Sequence, residues 1–143
     1  MVSIFNVLDR CDKPKTLLKQ VRPLIRPGTG RLLVALVLPY CPFVEDGSGQ
    51  RPPTERLAVV SNRWEKAVNE LVARVFTPCG FDVLKVARVP YYSQIYSSVD
   101  DPAFVTLDDV LLVLTPSATI PPPLPLPGWV HAIEPEPTVD GPP

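Results

Sequence analysis

The apolar positions of this chain fall into six runs, four with strand-like and two with helix-like spacing. Val2 to Leu8 is almost wholly apolar with Asn6 inside it, the pattern of a short strand covered on both faces. Lys13 to Ile25 then sets Leu17, Leu18, Val21, Leu24 and Ile25 at helical spacing, with Asp12 placed to cap and Pro14 acceptable in the first turn. Pro27-Gly28-Thr29-Gly30 stops that helix, and Arg31 to Leu38 follows as a continuous apolar run of strand length. Strand, helix, strand is a βαβ unit, which crosses over right-handed and makes its two strands parallel.

From Asn62 onward Trp64, Ala67, Val68, Leu71, Val72, Val75 and Phe76 step by three and four, the most regular pattern in the chain. Asn62 with Glu65 resembles a capping box, and Pro78 and Gly80 mark the helix end. Trp64 lies on the apolar stripe and reads as core rather than as a binding platform. Phe81 to Val89 and Thr106 to Leu114 are two further strands, expected to pair antiparallel, with Leu111 to Leu114 deep in the sheet and Pro90 to Asp101 as their connection. The order β-α-β-α-β-β predicts an α/β fold with helices layered on the sheet.

Two polar segments interrupt these runs. Pro39 to Val60 carries four prolines and two glycines and reads as a surface loop, long enough to suggest function. It follows the carboxyl end of a strand, where such sheets hold ligands, so it contacts a substrate or is a plain insertion. The loop after the first strand offers Asn6 and Asp9. These residue types suit closing a turn and capping the next helix, and they equally suit holding a ligand at the strand end.

Composition redraws the boundaries. Of 20 prolines, ten lie beyond Leu114, which predicts a folded domain over residues 1–115 and a disordered, Pro-rich tail over 116–143. Within the tail Pro122-Pro-Leu-Pro125 resembles a weak WW-domain ligand, and the absence of a flanking Arg or Lys argues against an SH3 site. A net charge of −1 argues against a nucleic-acid or membrane-surface binder, although all 14 Lys and Arg residues lie at or before Arg88. Cys11, Cys41 and Cys79 lack metal-ligand spacing, and their odd number fits reduced thiols. No leader pattern and no apolar run of membrane length is present, so an intracellular, cytoplasmic location is the default expectation.

Four separate motifs point to one family. Asn6-Val-Leu-Asp-Arg-Cys-Asp-Lys-Pro14, Leu33-Val-Ala-Leu-Val-Leu-Pro-Tyr40 with Pro42-Phe-Val-Glu45, Val89-Pro-Tyr91 and Leu107-Asp-Asp109 resemble, in order and spacing, the methyltransferase-like 9 or DREV family, from about Ile4 to Pro116. The element order is similar to the second half of a class I, Rossmann-like methyltransferase domain. The resemblance implies a protein-histidine methyltransferase, which moves a methyl group from S-adenosylmethionine to the pros nitrogen of imidazole in His-x-His type motifs of protein substrates. It also implies that Asn6 and Asp9 position the target imidazole, that Tyr91 and Tyr40 contact the substrate, and that Asn6 forms a remaining wall of the cofactor site. The family further suggests an endoplasmic reticulum or mitochondrial location.

Two departures accompany the resemblance. The chain begins at the family's fourth strand, and no Gly-x-Gly lies between a strand and a helix start, since Gly28-Thr-Gly30 follows a helix. A C-terminal part of the enzyme, such as a truncated isoform, is therefore expected, with crippled cofactor binding and no activity by itself. The tail from Ser117 has no family counterpart, and its lone His131 is a poor substrate for such a reaction. The alternative function is a non-catalytic interaction protein that uses the Pro-rich tail or an exposed sheet edge.

Overall fold

The computed structural model describes residues 1–118 apart from 48 and 99–100, with side chains described outside 95–103. The Pro-rich segment and His131 of the tail lie outside the described residues. Among the described residues the elements are β1 (Val2–Phe5), α1 (Pro14–Val21) with a 3-10 turn at Arg22–Leu24, β2 (Leu32–Leu38), β3 (Val44–Asp46), β4 (Gly49–Arg51), α2 (Trp64–Leu71) with a π-helical turn at Val72–Phe76, β5 (Phe81–Ser98) and β6 (Asp101–Pro116).

The main sheet has the order β1-β2-β6-β5, and β3 with β4 make a separate two-stranded ribbon. β1 and β2 run parallel, as the βαβ reading requires, and β6 pairs antiparallel with both β2 and β5. Register puts Ile4 beside Val34, Val34 beside Leu112, Leu32 beside Leu114 and Leu36 beside Val110. That row of side chains forms one buried core with Leu18 and Val21 of α1 and with Ala67, Val68, Leu71, Val75 and Phe76 of the second helix. The period of two along the strands and of three to four along the helices thus meet on one face.

The structure corrects several expectations. β1 ends at Phe5 and is an edge strand rather than one covered on both faces: Ile4 is buried, while Phe5 on the opposite face is 52 % exposed. The segment 90–101 is largely strand, because β5 and β6 continue as a long ribbon in which Tyr91 pairs with Leu107 and Gln94 with Phe104. Its aromatic residues favour extended backbone, and Pro90 is tolerated because β5 has β6 as its single neighbour. Pro39 to Val60 is not structureless but carries the β3–β4 ribbon.

Neither expected helix cap forms. α1 starts after Lys13 and α2 after Arg63, with no side-chain cap from either residue. Carboxylates take N–H groups near the helix starts instead, Glu55 from a distant segment and Glu70 from α2 itself. Glu55 takes the Thr16 N–H at 2.9 Å and the Thr16 hydroxyl at 2.6 Å, and Glu70 takes the Val60 and Ser61 N–H groups at 2.8 and 3.1 Å. An acid at the first turn of α1 also opposes the positive end of that helix. Trp64 packs against the core as expected, under the Arg88 guanidinium.

One corner ties the helices to the sheet. Gly80 follows the π-helical turn with φ 84°, and a side chain there would meet Arg22 Nε at 2.5 Å. The Gly80 carbonyl accepts from both Arg22 Nε at 3.0 Å and the Ser117 N–H at 2.8 Å, so the buried guanidinium joins α1 to the end of β6. No helix among the described residues is long and apolar enough to cross a membrane.

Candidate functional site

The carboxyl ends of β1 and β2 meet the middle of the β5–β6 ribbon, and the polar residues of the chain collect there. Asn6 follows directly on β1, its N–H bonded to the Ala35 carbonyl of β2 at 2.9 Å. Its φ of 52° is the left-handed corner that turns the chain out of the sheet, and Asn adopts this conformation more readily than most residues. Asp109 of β6 lies opposite Val37, and its Oδ2 accepts from Asn6 Nδ2 at 3.1 Å. The loop then brings Asp9 and Arg10 alongside, with Arg10 and Cys11 N–H groups both bonded to the Val7 carbonyl at 2.9 Å.

Asp9 is only 2 % exposed, and its Oδ2 pairs with Arg10 at 2.7 Å. Arg10 is held in turn by the Asp9 and Cys41 carbonyls at 3.0 and 3.2 Å and lies 3.9 Å from the centre of the Phe43 ring. The Phe43 N–H bonds the Asp9 carbonyl at 3.0 Å, so the strap of residues 39–60 grips this loop from above. Burial pushes the Asp9 carboxyl above the usual carboxylate range, Arg10 pulls it back, and the charge of Asp109 adds to the rise. Burial likewise raises Asp109, and the hydrogen bond from Asn6 opposes that rise.

These groups face a cleft of about 430 Å³ lined by Asn6, Asp9, Arg10, Glu45, Tyr91 and Ser93, with Val37 and Leu107 as its apolar part. Three buried oxygens at this end of the sheet have no partner: Asn6 Oδ1, Asp9 Oδ1 and Asp109 Oδ1. Buried acceptors left bare cost about 1–3 kcal/mol each. All three accept hydrogen bonds and none donates, so the chemistry they call for is a ligand rich in N–H or O–H groups.

The structure brings Asn6, Asp9 and Tyr91 to one cleft and sets Tyr40 apart. The Tyr40 ring packs on the core, and its hydroxyl accepts from the Leu57 N–H at 3.3 Å, which fastens the strap behind the cleft. Arg10, Glu45, Ser93 and Asp109 complete the surroundings and were not singled out by sequence reasoning. For Asp109 a signal existed: at the strand spacing of two along β6 it stands between Leu107 and Leu111, a charged residue in an otherwise apolar row.

A further shallow hollow of about 280 Å³, lined by Phe5, Asn6, Ala35, Tyr91, Asp109 and Leu111, lies on the face of the sheet that the helices leave uncovered. Asn6 and Tyr91 line both hollows, and the strand residues of the two, Val37, Tyr91 and Leu107 with Ala35, Asp109 and Leu111, alternate onto this same face of the sheet. A mixed sheet with its polar residues gathered at the carboxyl ends of parallel strands matches the α/β rule for ligand placement. Comparison with known families agrees with this architecture: residues 1–116 match the DREV methyltransferase family, and the chain belongs to it.

Proposed function

We propose that the cleft at Asn6 and Asp9 holds a histidine side chain of a protein substrate, in a methyltransferase that modifies the pros nitrogen of imidazole in His-x-His type motifs. The observation that carries this reading is the pair of bare, buried acceptors, Asn6 Oδ1 and Asp9 Oδ1, at the wall of a cleft large enough for a side chain. A neutral imidazole has one nitrogen that donates and one with a free lone pair. Asp9 Oδ1, accepting from the remote N–H, selects the tautomer whose near nitrogen is unprotonated and fixes the ring plane. Its charge also favours the unreactive imidazolium. Arg10, paired with Asp9 Oδ2, offsets part of that charge.

S-adenosylmethionine is the cofactor usual for a methyltransferase family. The residues of this chain fit it in part. Phe5, Ala35 and Leu111 give the second hollow an apolar floor, and Asn6 and Asp109 border it with acceptor oxygens. Among the described residues, no glycine turn of the kind that cradles such cofactors leads from a strand into a helix at this end of the sheet; Gly28 and Gly30 lie before β2, at its opposite end. The chain's own residues therefore do not fit the whole cofactor, and their assigned work is to bind and orient the imidazole.

Binding of a His-Ala-His peptide to the 143-residue chain, followed by NMR, tests the reading. Shifts should concentrate on Asn6, Asp9 and Tyr91, and a peptide with both histidines replaced by phenylalanine should leave them unmoved. Equal response to the two peptides, or no response at Asn6 and Asp9, would sink it. The second reading, an adapter acting through the Pro-rich tail, fails if every pull-down partner survives deletion of Ile120 to Pro127.

A further inference from the structure

Asp109 is the buried carboxylate at this edge to which the imidazole reading gives no role. It is 4 % exposed, with Oδ2 on the Asn6 amide at 3.1 Å and Oδ1 buried without a partner. The position is set by rigid elements. β6 is the interior strand between β2 and β5, and Asp109 pairs there with Val37 on one side and Val89 on the other.

The Asn6 side chain has two ends of opposite chemistry, and a half-turn of its amide exchanges them. With the carbonyl toward the ligand the residue is an acceptor; with the NH2 toward the ligand it is a donor. Backbone position does not decide between the two. An ionised carboxylate beside the amide does, because it accepts only, so the NH2 must turn to Asp109 and the carbonyl is left bare. The arrangement observed is this one: Nδ2 is bonded to Asp109, and Oδ1 is buried and without a partner.

We propose that Asp109 is a positioning residue that locks the Asn6 amide with its carbonyl free, so that Asn6 and Asp9 present acceptors together and the site selects ligands through their N–H groups. The lock is a property of the chain itself; its effect on peptide binding rests on the imidazole reading above. A flipped amide would put an NH2 where Oδ1 now stands and turn that acceptor into a donor. Asp109 removes that competing arrangement without touching the ligand.

The test uses the full chain, with Asp109→Leu to remove the acceptor, Asp109→Asn to keep the shape while permitting either amide orientation, and Asn6→Gly to remove the amide. In the ligand-free wild type one Asn6 Nδ2 proton should be protected from exchange, and Asp109→Leu should speed its exchange about tenfold. Asp109→Leu should also weaken His-Ala-His binding about tenfold, yet less than twofold in the Asn6→Gly background, because a residue that acts only through Asn6 has nothing left to position. If Asp109→Leu fails to fold, Asp109→Asn carries the same comparison with a smaller loss. Unchanged exchange of the Asn6 amide, or a full tenfold loss in the Asn6→Gly background, overturns the proposal. Should wild type ignore the peptide, the imidazole reading fails, while the exchange measurement still decides the lock.

Discussion

Asn6 combines a backbone demand and a side-chain demand that different substitutions separate. Its φ of 52° costs a residue with a Cβ about 1 kcal/mol, and glycine removes that cost. Asn6→Gly should therefore melt no lower than wild type in thermal denaturation while binding the peptide more weakly; a clear drop in melting temperature would mean that the amide chiefly holds the fold together. Asp9 separates charge from shape. Asp9→Asn keeps an acceptor in place but removes the charge, and should weaken peptide binding about tenfold in a calorimetric titration. Unaltered affinity would remove Asp9 from the imidazole contact.

At the scale of elements, the strap of residues 39–60 decides how firmly the cleft is built, and its fastenings are acidic. Asp12 accepts from the Thr54 N–H and hydroxyl, each at 2.9 Å to Oδ1, and from Arg51 at 2.8 Å; these contacts hold its pKa down to about 2. Glu55, bonded to Thr16, is also held below its ordinary value. A lowered folded-state pKa gives stability that is present above the unfolded value and lost as pH falls through the folded one. Asp9 and Asp109 have the opposite sign, since a raised pKa costs stability as pH climbs from the ordinary carboxylate value through the folded one. Acid should therefore release the strap while relieving the buried carboxyls of the cleft. Protection of the Thr16 and Thr54 amides should hold from neutral pH to about pH 5 and collapse toward about pH 2. Asp12→Ala should reproduce the loss at Thr54 at neutral pH; unchanged protection there would show that the strap is fixed by other contacts.

What was legible followed from local periodicity. The parallel β1–β2 pair, both helices and the antiparallel closing ribbon are each written in a run of apolar residues whose period matches the element formed. The contact at the start of α1 was not, because Glu55 lies 39 residues from Thr16 and reaches it only after the strap has folded back. The full length of β5 and β6 was hidden by Pro90, which reads as a strand breaker until the strand is known to lie at an edge. Asn6 and Asp9 could be picked out from a polar loop at a strand end, whereas Asp109 lies 103 residues from Asn6 and becomes part of the site only through sheet register.

The whole sheet is asymmetric, and that asymmetry bears on what the chain does by itself. One face is closed by both helices over Leu32, Val34, Leu36, Leu112 and Leu114, each at most 2 % exposed, whereas Phe5 on the other face is half exposed. Leu112→Ala should cost about 2–5 kcal/mol in denaturant unfolding, and Phe5→Ala far less. The acceptors for a ligand N–H stand at the carboxyl end of the parallel strands, and Gly28-Thr-Gly30 lies at the other end, before β2. Peptide recognition and cofactor binding should therefore separate in this chain. Calorimetric titration of the 143-residue chain with S-adenosylmethionine should give no saturable heat at micromolar concentrations, under conditions where the His-Ala-His peptide still shifts Asn6 and Asp9. Saturable micromolar binding of S-adenosylmethionine, lost in Asn6→Gly, would instead assign the Asn6 edge to the cofactor and move the imidazole elsewhere.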